Sequence, residues 1–172
     1  MKLVRLTPFV AVLFVSCGSK PIDPVALGRA VAGTIFTVEQ VQLTEAALYL
    51  QDPKQDPVAH CTVQRVFGEF AKRSEQTLTL VFDRTKTSEE RLQILSEVVR
   101  DASVAVEKIT PRLSPTEVIL LRAAITAGTV AILAVDARRM PVTLPPELEP
   151  IKVSVAASLA RMQTFTLVQC PT

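Results

Sequence analysis

SPTEVILLRAAITAGTVAILAVDA, residues 114–137, is the stretch whose reading decides the fold. Ser114 stands as an N-cap, Pro115 occupies the first helical position and Glu117 sits three residues after the cap, which is a complete helix start. The segment 118–135 behind it carries a single charge, Arg122. Its length approaches the roughly twenty apolar residues that cross a bilayer. A helix enclosed by others in a soluble bundle is equally apolar on all sides. The caps at Ser114 and Glu117, and the exit through Asp136-Ala137-Arg138, belong to a helix whose ends meet water. The segment is therefore expected inside a soluble bundle, with a membrane span as the alternative. Arg122 is then a buried charge that should find a carboxylate, because an unpaired buried charge is costly.

Working outward, the same punctuation recurs. Asp23-Pro24 and Asp56-Pro57 each place an N-cap before a proline at the first helical position. Behind the first, Leu27, Val31, Thr34/Ile35, Val38, Val41 and Leu48 recur three and four apart until Gln51-Asp52-Pro53. Behind the second come Val63, Val66/Phe67, Phe70, Leu78 and Val81, with Gly68 a weak point. The alternation in residues 77–82 would suit a strand, but no partner strand exists and a helix is expected. Thr87 and Glu90 form a capping box ahead of Leu92, Leu95, Val98/Val99, Ala102, Ala105/Val106 and Ile109, and Thr110-Pro111 ends that run. A proline-rich loop, 138–149, leads to a last helix at about 150–168 with Val155, Leu159, Met162 and Thr166 inward. Five helices and no strand pair predict an all-α, up-and-down bundle.

The topology bears on the cysteines. Helices joined by short connections alternate in direction. The start of helix two, which holds Cys61, and the end of helix five, which precedes Cys170, then share one pole. A Cys61–Cys170 disulfide is expected, with two separate buried thiols as the alternative. His60 beside Cys61 lacks the spacing to act as its base on a helix and is expected at the surface or at a cap. Arg84, Lys86, Arg138 and Arg139 fall in loops at the opposite pole, where the chain enters the bundle; ordinary solvated loop charge is the expected reading, with membrane-proximal basic loops facing anionic headgroups as the alternative.

The N-terminus gives an address. Lys2 and Arg5 precede an apolar run, 6–15, that is too short to span a bilayer, the marks of a signal peptide. Phe14-Val15-Ser16-Cys17 resembles the lipobox of bacterial lipoproteins, in which the cysteine takes a diacylglycerol and the peptide is cut before it; Phe14 stands where the pattern usually has Leu. The resemblance implies a signal peptide at 1–16, a tether at 17–22 lipidated on Cys17, and a bundle domain at 23–172. Gly18 after the cysteine resembles the pattern sorted to the outer membrane. Lys2 and Arg5 leave with the peptide, so 17 of the 19 basic residues face 17 acids and the formal charge is zero. The precursor's basic pI is no argument for nucleic acid.

No catalytic motif emerges. His60 is the single histidine, and the five glycines form no phosphate loop. No serine sits in a G-x-S-x-G turn, and the absence of tryptophan argues against stacking platforms. Neither an enzyme nor a cofactor is expected beyond the lipid on Cys17. The expected function is an envelope lipoprotein acting by protein–protein contact, as an accessory, assembly or exclusion protein. The alternatives are a carrier of an apolar ligand, with a cavity along Leu121, Ile125 and Ile132, and a lysis-type protein using 118–135 as a second anchor.

Overall fold

The computed structural model describes residues 24–52, 56–83, 85–137 and 141–170. They form five helices, α1 (Pro24–Gln51), α2 (Pro57–Val81), α3 (Ser88–Ile109), α4 (Pro115–Ala137) and α5 (Glu149–Gln169), with short 3₁₀ turns at Thr110–Arg112 and Pro146–Leu148. The expected all-α bundle is observed, without strands among the described residues. The start signals act as chemistry. Asp56 accepts the Val58 amide at 2.9 Å, and Thr87 and Glu90 cap each other reciprocally. Glu117 accepts the Ser114 amide at 2.9 Å and the Ser114 hydroxyl at 2.6 Å. Residues 77–81 are helical, because Leu78 and Val81 join the core from α2. Signal peptide, Cys17, tether, Arg84, Arg138 and Arg139 lie outside the described residues.

The helices alternate in direction. Cys61 near the start of α2 bonds Cys170 after α5, with Cα atoms 5.4 Å apart. The Tyr49 ring near the end of α1 stacks on His60 at 3.9 Å. These contacts mark one pole. At the other, the start of α1 meets the turn before α5, where Gly28 packs against Leu148. The disulfide closes a loop of 109 residues, and the chain-entropy relation assigns such a loop about 4–5 kcal/mol. His60, expected at the surface or at a cap, stands in the first turn of α2 and is buried there, because the Tyr49 ring covers it. Burial outweighs its interaction with Gln169 and lowers the imidazole pKa.

The central helix is α1, not α4. It packs against α2, α3, α4 and α5. Polar side chains are buried on α1 because each finds a partner. Gln42 donates to Gln64 Oε1 on α2 at 3.1 Å and to Thr166 Oγ1 on α5 at 2.9 Å. Glu39 accepts the Ser158 hydroxyl at 2.6 Å and Arg161 Nε at 2.6 Å, both from α5. Thr34 Oγ1 donates to the Ala124 carbonyl on α4 at 3.0 Å. Helix α4 packs on α1 and α3 through Leu121, Gly128, Ile132 and Val135. The rest of it is largely exposed, Ile119 at 67% and Leu133 at 58%. Arg122 is likewise exposed. The expected buried charge is corrected: α4 occupies the edge of the bundle, and Arg122 keeps its water.

Candidate functional site

The pole where α1 begins holds a cavity of about 370 Å³. Its position follows from how the ends of three helices are closed. Loop 141–148, which we call the strap, crosses from α4 toward α5 and turns two apolar side chains, Val142 and Leu148, into the protein. Arg91 near the start of α3 holds the strap in place. Its guanidinium donates to the carbonyls of Val81 and Asp83 at 3.0 Å each and to that of Val142 at 3.3 Å. One side chain thus serves the last turn of α2, the connection after it and the strap, supplying a donor for the Val81 carbonyl at the helix end and tying the other two carbonyls to it.

Behind the strap, Leu27, Val31 and Ile35 of α1 form the floor of the cavity. Leu78 and Phe82 line one wall, and Ile151, Val155 and Leu159 of α5 line the other. Leu148 closes the α1 side. A Cβ on Gly28 would lie 2.5 Å from Leu148 Cδ2, so a side chain at Gly28 would force Leu148 to move. The atom met is the far end of a flexible side chain, so the approach is accommodated by a shift of Leu148 and does not demand glycine at position 28. Polar groups stand among the lining residues as well: Glu75, Thr79, Asp83, Thr143 and Lys152. Lys152 Nζ pairs with Glu149 at 3.0 Å and lies 4.9 Å from the centre of the Phe82 ring. Asp83 accepts the Thr85 amide and hydroxyl, each at 2.8 Å, and the amide hydrogen bond above all holds its pKa below the ordinary value.

An aliphatic chamber of this volume with a few polar groups falls in the range of small-ligand sites, roughly 300–1,000 Å³. It suits an alkyl chain better than a sugar or a nucleotide, because its walls offer few hydrogen bonds. Among the described residues, no group of three His, Cys, Asp or Glu side chains is placed to hold a metal ion. The cavity is not where a carrier was expected. Leu121, Ile125 and Ile132 do not line it, because α4 stands at the edge of the bundle with no fifth helix over it. The signal that marked the true place was the strap itself, a loop carrying Val142, Leu144 and Leu148, since apolar loop residues must cover something apolar.

Among the other expected residues, Cys61 and Cys170 are joined. Lys86 lies in the connection after α2 and pairs with Glu90 at 2.9 Å. Arg91, Gly28 and Phe82 were not singled out by sequence reasoning. At the opposite pole, Glu45 and Glu117 face each other. Burial first, and the Glu117 carboxyl second, push the Glu45 carboxyl up to about 7. Set against protein-family models, curated proteins and solved structures, the chain matches none.

Proposed function

We propose that this chain is a lipid-anchored envelope protein that holds an alkyl-chain ligand in the cavity behind the strap. The cavity is the observation that carries the reading. Its lining is largely aliphatic, and its floor begins at Pro24, where the segment leading back to Cys17 joins the bundle. The seven residues from Cys17 to Pro24 reach at most about 23–25 Å, so the cavity stays close to the bilayer that anchors the protein. An alkyl chain moving from membrane to cavity would exchange one apolar surrounding for another. The activity is binding, not catalysis. Export, lipidation of Cys17 and an outer-membrane position facing the periplasm belong to the same proposal and rest on the lipobox resemblance. Lys86 is paired with Glu90, so Arg84, Arg138 and Arg139 are the basic residues that would add attraction to anionic headgroups.

Action by protein contact is the second reading, and the exposed apolar face of α4 favours it. Native mass spectrometry of protein extracted from membranes tests the first. Wild-type protein should carry a covalent diacylglycerol at Cys17 and, in addition, one noncovalent alkyl-chain molecule. Cys17→Ser should remain uncut and lose the covalent lipid while keeping the noncovalent one. Wild-type protein carrying the covalent diacylglycerol and no noncovalent alkyl-chain molecule would mean that the only lipid is the anchor, and the carrier reading would fall.

A further inference from the structure

The outer face of α4 carries a pattern. Ile119, Ala123, Thr126, Val130, Leu133 and Ala137 are all exposed. Their intervals of four, three, four, three and four form one straight stripe, the repeat by which one helix meets another. Because the intervals read the same in both directions, a reversed copy of the helix presents the same ladder. Reversal also sets large against small. Ile119 meets Ala137 of the other copy, Leu133 meets Ala123 and Val130 meets Thr126, whereas a parallel pair would set each residue against itself.

The flanks choose between the two arrangements. Arg122, Thr129 and Asp136 stand seven apart along one edge of the stripe, and Leu120, Ala127 and Ala134 stand seven apart along the other. A two-fold axis perpendicular to antiparallel helices brings like edges together. Arg122 then faces Asp136 of the second copy, twice, with Thr129 near the axis, while the opposite edge meets as Leu120 with Ala134 and Ala127 with Ala127. In a parallel pair Arg122 and Asp136 would face the apolar edge. Both are exposed, and neither enters an ion pair among the described residues.

We propose that α4 docks against α4 of a second copy of this chain, antiparallel, about an axis at Gly128–Thr129. Apolar complementarity supplies the attachment and the two Arg122–Asp136 pairs set the direction. This gives the contact reading of α4 its partner and does not involve the cavity. The pairing sends the two tether poles to opposite ends. The reach of residues 17–23 lets both anchors enter one bilayer when the helices lie along it.

Position-specific cross-linking of the full chain in isolated membranes tests it, with the chain lacking an added cysteine as control: Cys61 and Cys170 are bonded to each other and do not react, and Cys17, acylated as proposed, offers no thiol. With a short bismaleimide, Thr129→Cys should give an adduct of twice the chain mass. Co-expressed Arg122→Cys and Asp136→Cys should cross-link to each other. Either alone should not, because fourteen helical residues separate the positions by about 21 Å. Arg122→Asp should lower the Thr129→Cys yield at least about fivefold by facing like charges twice, and adding Asp136→Arg should restore it. Cross-linking of Arg122→Cys to itself would show parallel pairing and overturn the proposal. Adducts with a chain of different mass would overturn self-pairing and leave the contact reading standing. Absence of adducts, with Thr129→Cys shielded from thiol reagents by lipid, would overturn it in favour of a membrane-embedded α4.

Discussion

Glu45 shows how a residue's chemistry can depend on a neighbour distant in sequence. Its partner Glu117 is readable as a cap, and the Ser114 hydrogen bonds bear that out. That the cap would lie against a second carboxyl at the end of α1 follows from the packing of two helices, which no local pattern encodes. With the Glu45 pKa raised from 4.5 to about 7, the folded state binds a proton more tightly than the unfolded chain. The stabilisation is then complete below pH 4.5 and is lost as pH rises through 7. Because the site is partly solvated, the effect should be about 1–2 kcal/mol rather than the full value of the shift. Urea unfolding should therefore give a less stable protein at pH 8 than at pH 5.5 from this group. Glu45→Gln should remove most of that difference. An unchanged pH dependence in the variant would place the titration elsewhere. Arg122 carries the converse lesson. An apolar sequence neighbourhood suggested burial, but a helix has two faces, and its flank on α4 is the one that meets water.

At the scale of elements, helix existence and boundaries were legible above all where a side chain bonds to free amides, as at the starts of α2, α3 and α4, whereas α5 begins without such a cap. Pro57, Ser88 and Pro115 begin their helices where the caps place them. What hydropathy could not rank was position in the bundle. Helix α4 is the helix among the described residues apolar enough to cross a membrane, yet most of it is exposed. Helix α1 carries Thr34, Glu39 and Gln42 and is nevertheless central, because α2, α4 and α5 bring the matching donors and acceptors. Sequence reports the cost of burying a polar group, not whether a partner will be present to offset it. The strap was likewise legible as a loop but not as a wall. Its attachment through Arg91 gives a prediction. Arg91→Ala removes three hydrogen bonds to carbonyls, and in this half-exposed setting should cost about 1–2 kcal/mol. Arg91→Lys, with one donating head, should recover only part of that loss in chemical unfolding. Full recovery by lysine would mean that charge alone, not the forked geometry, holds the strap.

For the whole molecule, alternation of helix direction was the most productive inference from sequence. It placed Cys61 and Cys170 at one pole, and they are bonded there. The same alternation brings the chain's entry point, the end of α2 and the strap together at the other pole, where the cavity lies. Its place was not legible, because the lining comes from four helices and a loop whose spacing no single segment records. Whether the cavity serves an alkyl chain can be read in isolated membranes with a photoactivatable fatty acid, mapping the adducts by peptide mass spectrometry. The structure predicts adducts concentrated on peptides containing Leu27, Leu148, Ile151 and Val155. Ala156→Phe places a ring at an exposed lining position and should reduce them at least about tenfold, a difference of roughly 1.4 kcal/mol in binding. Adducts spread along Ile119, Val130 and Leu133, unaffected by Ala156→Phe, would contradict a ligand cavity and show lipid meeting the protein at α4 instead.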